Sequence, residues 1–163
     1  MLAIPTHDRS KLVAWIQIAI GIAIQIAVLT TAPADAARWY ALYFPLTIAI
    51  GAATLWAGSL LGLRFEDAPG VVLLKLCAVY CVAYALELAL MALVPFDGLW
   101  LVERLLVFGG FVALCVRMLG MDAVEAVLFA LVSWLMKFAL LATFGGFIWG
   151  WMDLSGDLGF GIK

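Results

Sequence analysis

One stretch, residues 71–94 (VVLLKLCAVYCVAYALELALMALV), most limits what this chain can fold into. As a helix rising about 1.5 Å per residue, it is long enough to span a bilayer. At about 100° per residue, its polar and sulfur-containing side chains share one side of that helix. These side chains are Cys77, Tyr80, Cys81, Tyr84, Glu87 and Met91. The opposite side is apolar and includes Val79 and Leu86. We therefore predict the central helix of a small membrane bundle, with its apolar side facing lipid.

Composition indicates that the whole chain is a membrane domain. The chain has 163 residues, of which 67% are hydrophobic and 12% are charged, whereas soluble domains have about 25% charged residues. This length has no room for a separate soluble domain beside a membrane bundle. The net charge of −2 excludes a basic patch that would neutralise phosphates, so we expect no nucleic-acid partner. The expected partners are the lipid bilayer and other membrane protein subunits.

The apolar runs predict an all-α bundle of five transmembrane helices in a single domain. The expected spans are 12–31, 39–62, 71–94, 98–119 and 123–151. Isoleucines alternate in the first run with the period of a strand, but its length of about 20 residues fits a membrane-spanning helix. Its Gln17, Gly21 and Gln25 form a stripe that should face other helices, because an amide facing lipid would lack a partner. Asp122 and Glu125 resemble a capping box at the start of the fifth helix.

The amino-terminal run has two interpretations, a cleaved secretory signal and a retained signal anchor. The segment 34–36 (Ala-Asp-Ala) resembles a cleavage site. However, the apolar run exceeds the usual signal-peptide core of about 7–15 residues, so we expect an anchor. The following Tyr40 and Tyr43 resemble an interfacial anchor. The distribution of Lys and Arg favours a cytoplasmic amino terminus and an external carboxyl terminus, in the inner or plasma membrane of a prokaryote.

Three ionisable residues, Glu87, Arg104 and Lys137, fall inside the predicted spans. Glu87 and Arg104 should lie about 10 Å below the same membrane surface, with Lys137 near the midplane. Because an unpaired charge there costs at least about 2.5–3.5 kcal/mol, the three should find one another. We predict an intramembrane polar cluster that also includes Gln25 and the Tyr84 hydroxyl. The cluster would hold helices together, bind a partner subunit, or form a proton or ion path; one acid beside two bases favours the first two roles.

A metal site is the next candidate. Cys77, Cys81 and Met91 share a helix face and are soft ligands suited to Cu(I). Cysteine in a packed helix is more often a small hydrophobic residue, so we predict no metal. The single histidine, His7, lies outside the spans, which excludes a haem with two histidine ligands. We predict no cofactor, and a bound lipid or pigment is left open.

The chain contains no catalytic constellation. Ser59 and Ser133 have no histidine near them, and HExxH, GxSxG and P-loop patterns are absent. Tyr80, Tyr84 and Glu87 could line a quinone or lipid crevice, although a packed aromatic face explains them as well. We therefore expect no enzyme. The predicted function is a non-catalytic integral subunit of a larger membrane complex.

The alternative function is a small oligomeric transporter or channel that uses the Glu87, Arg104 and Lys137 cluster. A water-accessible cavity that reaches Glu87 or Lys137 would favour transport. A dry cluster with all its charges paired would favour the subunit. A membrane-embedded enzyme, the third class, has no support beyond the cysteines and Glu87.

Overall fold

The computed structural model describes residues 6–31, 34–60, 65, 67–93 and 100–143. Within these residues the chain is all-helical, with five helices and no strand, which confirms the predicted helical class. The helices are α1 (Thr6–Leu29), α2 (Ala34–Leu60), α3 (Pro69–Leu93), α4 (Trp100–Leu119) and α5 (Ala123–Thr143). Three of them contain segments long and apolar enough to cross a membrane, namely Arg9–Leu29, Tyr43–Leu60 and Pro69–Leu90. The chain therefore has the character of a membrane protein.

The helix bounds differ from the predicted spans mainly at amino-terminal ends. α1 begins at Thr6 and so includes polar residues that precede the first apolar run. α2 begins at Ala34, inside the segment that resembles a cleavage site. Both differences arise because the spans were predicted from runs of apolar residues. Helical hydrogen bonding, in contrast, continues into the more polar sequence before each run. The predicted continuation of the fifth span over 144–151 lies outside the described residues.

Local signals define several helix ends. At the start of α5, Glu125 N donates to Asp122 Oδ1 at 2.8 Å, and Asp122 N donates to Glu125 Oε2 at 3.0 Å. This confirms the predicted capping box, in which each side chain satisfies the other's backbone N–H. Gly120, after the last residue of α4, has φ of 70°, where a side chain would be strained. α3 starts at Pro69, a position where the missing N–H has no helical partner to lose.

Four helices form a closed ring. α3 and α5 each pack against both α2 and α4, so α3 and α5 lie opposite each other. α1 lies outside the ring and packs most extensively against α3. Because several helices cover α3, its predicted lipid face is only partly exposed: Val79 is fully buried, while Leu86 remains 37% exposed. The lipid-facing prediction was therefore wrong for Val79.

The contact between α1 and α3 is a close backbone approach. A Cβ on Gly21 would lie 2.7 Å from the Cys81 carbonyl oxygen, so only glycine fits there. One turn further along α1, Gln25 Nε2 donates to the same carbonyl at 2.8 Å. Gly21 and Gln25 thus face α3, as the predicted stripe requires. Gln25 is buried and satisfied by backbone rather than by a charged side chain.

Candidate functional site

Lys137 reaches from α5 across the centre of the ring to α3. Its Nζ donates a hydrogen bond to the Tyr84 hydroxyl oxygen at 2.6 Å. The same Nζ lies 4.7 Å from the centroid of the Tyr43 ring and 4.9 Å from that of Tyr84. Within the described part of the chain, no carboxylate forms an ion pair with Lys137. The ammonium group is therefore held by a neutral oxygen and by the π faces of two tyrosines.

Aromatic rings from α2 and α3 surround Tyr84. The rings of Tyr40, Tyr43 and Phe44 meet it edge to face, with centroids 6.1, 6.3 and 5.5 Å away. Tyr80 stacks on it from the preceding turn of α3, at 6.3 Å. Edge-to-face contacts of this kind are the favoured arrangement of aromatic pairs. They fix the orientation of the Tyr84 ring, and with it the hydroxyl that accepts from Lys137.

Further hydroxyl groups lie in the same region. Thr47 is 2% exposed, donates to the Phe44 carbonyl at 2.8 Å and lies beside the Tyr84 hydroxyl. Ser133 precedes Lys137 by one turn of α5, and its oxygen approaches the Tyr80 hydroxyl. Within the described residues, the buried oxygens of Ser133 and Tyr40 make no hydrogen bond of ordinary geometry. These hydroxyl groups therefore lie where α2 and α5 meet α3.

Glu87 and Arg104 form an ion pair between α3 and α4. The Glu87 side chain is 12% exposed and that of Arg104 is 38% exposed, so the acid is the more buried partner. Glu87 follows Tyr84 by one turn of α3. The carboxylate is thus engaged with Arg104, although it lies only one turn from the residue that holds Lys137.

The predicted polar cluster is arranged as separate contacts along α3. Glu87 contacts Arg104, and Lys137 contacts Tyr84. Gln25 bonds instead to a backbone carbonyl on α3, because α1 lies outside the ring. A second ion pair, which the sequence reasoning missed, joins Lys75 in the first turns of α3 to Asp67 just before it.

The cysteines lie apart from this arrangement. Cys81 and Cys115 are buried and Cys77 is half-buried, all three as free thiols. Among the residues that the structure describes, no three His, Cys, Asp or Glu side chains are grouped as a metal site would require. The side chain of Met91, the third soft ligand considered, lies outside that description. The copper hypothesis therefore gains no further observation in its favour.

Sequence reasoning missed the contribution of α2 to the site. Tyr40, Tyr43, Phe44 and Thr47 follow one another at i, i+3, i+4 and i+7, the spacing of a single helix face. That spacing was the signal that could have identified them. Tyr43, which the sequence suggested as an interfacial anchor, is 6% exposed and faces the interior of the ring, where it contacts Tyr84 and Lys137.

Comparison with protein-family models, with curated proteins and with solved structures finds no match for this chain. Its function is therefore inferred from its own residues.

Proposed function

We propose that this protein is a non-catalytic integral subunit of a larger membrane complex. The observation that carries the proposal is how Glu87, Arg104 and Lys137 are used. Glu87 with Arg104 links α3 to α4, and Lys137 with Tyr84 links α3 to α5. Side chains that brace helices against one another serve assembly, whereas a conducting path needs groups that exchange partners with water or ions.

We extend the proposal to all five helices as transmembrane spans. α4 has 20 residues and α5 has 21, which at about 1.5 Å per residue covers the roughly 30 Å hydrocarbon core. Apart from Arg117 in the last turn of α4, the large side chains that are exposed in the described parts of both helices are apolar. They are Leu101, Val102, Leu105, Leu106, Val116, Val124, Val127, Leu128, Leu131, Val132, Trp134, Leu135 and Met136. The proposed orientation keeps the amino terminus cytoplasmic and the carboxyl terminus external, in the inner or plasma membrane of a prokaryote.

The outward surface suits partner helices as well as lipid. Large side chains are exposed in the middle of a helix as well as near the ends: Trp134 lies midway along α5, and Trp56 lies about one turn before the end of α2. In lipid, helices associate through close packing rather than through hydrophobic burial, so such a surface can receive a neighbouring subunit. We place the contacts with partner subunits on this outward surface. The contacts of Glu87 with Arg104 and of Lys137 with Tyr84 hold the helices of the chain itself together.

Site-specific photocrosslinking in the host membrane tests the proposal. A photoreactive amino acid is introduced at Leu105 on α4 or Leu135 on α5, both exposed, and at the fully buried Leu76 on α3 as the matched control. We expect one defined membrane protein to be captured from an exposed position and none from Leu76. Capture of lipid alone from both exposed positions would contradict a subunit contact on these helices.

A transporter or channel is the second candidate function. The observation in its favour is Lys137, a charge at the centre of the ring with no carboxylate partner among the described residues. Flux assays on proteoliposomes of the wild type, Lys137→Met and Glu87→Gln test it, with Lys75→Met as control because Lys75 pairs with Asp67 away from the centre. Flux lost in the first two variants and kept in the control would favour transport. No flux in any sample would exclude a channel formed by this chain alone.

A further inference from the structure

Met136 on α5 is the exposed methionine among those whose side chains the structure describes. It is 40% exposed, whereas Met118 and Met121 are 8% and 5% exposed. Its neighbours on the outer surface of α5, Val132 and Leu135, are exposed as well, so a reagent can approach the thioether from outside the ring. Two-electron oxidants convert an accessible methionine into its sulfoxide, a polar side chain. Met136 is therefore the described methionine at which oxidation should occur first.

The sulfur of Met136 lies against a buried hydroxyl group on α2. Thr54 Oγ1 donates to Met136 Sδ at 3.4 Å, and Thr54 is 6% exposed. The same hydroxyl also donates to the Ile50 carbonyl oxygen at 2.9 Å, one turn earlier in α2. Within the helix that carbonyl is also the acceptor for the Thr54 backbone N–H, so it keeps a partner when the hydroxyl turns away. The Thr54 hydroxyl is therefore able to donate fully to a stronger acceptor on Met136.

Oxidation of Met136 would supply that stronger acceptor. A thioether sulfur accepts hydrogen bonds only weakly, whereas a sulfoxide carries a polar oxygen. In apolar surroundings a polar group without a partner is costly, so the sulfoxide oxygen needs a donor. The Thr54 hydroxyl is the donor already in contact with the sulfur, and the flexible methionine side chain can turn the new oxygen toward it. A weak contact between α2 and α5 would then become a full hydrogen bond.

We propose that Met136 is a site of oxidation by lipid-soluble hydroperoxides and that the Thr54 hydroxyl receives the sulfoxide. The sulfur attacks the terminal oxygen of the hydroperoxide, the O–O bond breaks and an S–O bond forms. The sulfur loses two electrons to the hydroperoxide, which takes up its own proton and leaves as an alcohol. The lipid-soluble oxidant rests on the proposed transmembrane position of α5. The site itself does not depend on partner subunits.

Peptide mass spectrometry of the full chain, treated with cumene hydroperoxide in nanodiscs of saturated phosphatidylcholine, tests the site. We expect Met136 to gain one oxygen about tenfold faster than Met118 or Met121, the buried internal controls, because oxidation follows exposure. Hydrogen peroxide at the same concentration should react more slowly with Met136, because less of it enters the hydrocarbon. Equal rates at the three methionines would overturn the site. Faster reaction with hydrogen peroxide would overturn the lipid-soluble oxidant.

Steric trapping before and after oxidation tests the role of Thr54. We expect oxidation to raise the unfolding equilibrium constant several-fold more in Thr54→Val, which lacks the donor, than in the wild type. Met136→Leu is the control, and the same treatment should leave its unfolding unchanged. Equal effects of oxidation in Thr54→Val and the wild type would contradict Thr54 as the receiving group.

The infrared S=O stretching band of the oxidised wild type tests the same contact without a substitution at Thr54, in case Thr54→Val fails to fold. Subtracting the spectrum of treated Met136→Leu isolates the band. A hydrogen bond from the Thr54 hydroxyl should shift it to lower frequency than that of a dialkyl sulfoxide in hydrocarbon solvent. An unshifted band would show that no donor meets the sulfoxide and would overturn the contact.

Discussion

At the scale of residues, Lys137 shows how this chain accommodates a charge inside an apolar bundle. Its amine donates to the Tyr84 oxygen and lies against the rings of Tyr43 and Tyr84. The sequence indicated Lys137 and Tyr84 as neighbours because a charge at that depth requires a polar partner. It did not indicate Tyr43, because a tyrosine near the start of a helix also fits the membrane interface. Whether the Tyr43 ring contacts Lys137 or faces outward depends on the rotation of α2 about its own axis, which the sequence does not give.

Tyr84→Phe tests the hydrogen bond to Lys137. The variant keeps the ring but leaves the buried ammonium without its acceptor, so we expect the free energy of unfolding to fall by about 1–3 kcal/mol. Steric trapping in bicelles measures this quantity. Tyr43→Phe is the matched control, because Tyr43 contacts Lys137 through its ring face, which phenylalanine retains. Equal losses in the two variants would show that the Tyr84 hydroxyl has no special role.

The ion pair of Glu87 with Arg104 is tested by a double-mutant cycle. Glu87→Leu and Arg104→Leu should each destabilise the protein, because each leaves one charge in the membrane without its partner. The double variant should lose less than the sum of the two. We expect a coupling energy of about 0.5–2 kcal/mol, the range seen for polar contacts between membrane helices. Strict additivity in the unfolding measurements would rule out the pair as a brace between α3 and α4.

At the scale of elements, sequence predicts where helices occur better than how they meet. The five helices and the capping box of α5 follow from hydropathy and from local side-chain chemistry, which need no neighbour. The burial of Val79 depends on helices that approach α3 from several sides, so the amphipathic pattern of α3 alone could not show it. The stripe of Gln17, Gly21 and Gln25 on α1 was predicted to face other helices because an amide facing lipid would lack a partner.

Gly21→Ala tests the contact between α1 and α3. An added Cβ would lie 2.7 Å from the Cys81 carbonyl oxygen, so the helices must separate. We expect a loss of about 1–3 kcal/mol in the free energy of unfolding, as for other overpacked sites. Gly109→Ala on α4 is the matched control, since its Cβ meets nothing within 4 Å and should be neutral or stabilising by up to about 1 kcal/mol. Similar values for both variants would contradict the close approach of α1 to α3.

At the scale of the whole molecule, the ring depends on contacts between residues far apart in sequence. The Thr54 hydroxyl of α2 meets Met136 Sδ of α5 at 3.4 Å, and Lys137 reaches Tyr84 across the centre. No local pattern encodes the pairing of α2 with α5, which is why the central position of α3 could be predicted and the ring could not. In the ring Glu87 with Arg104 and Lys137 with Tyr84 join neighbouring helices, while apolar side chains cover much of its surface. This separation of polar contacts between helices from an apolar outer surface is the physical basis for the proposed role as a subunit.

Native mass spectrometry of the protein, extracted gently from its own host membrane, tests this proposed role most directly. We predict that the chain travels with one or more different membrane proteins in a defined ratio, and that the assembly persists at mild collision energy. The identities of those partners would then show what the complex does. A chain found only as a monomer or as a homo-oligomer under the same conditions would contradict the account.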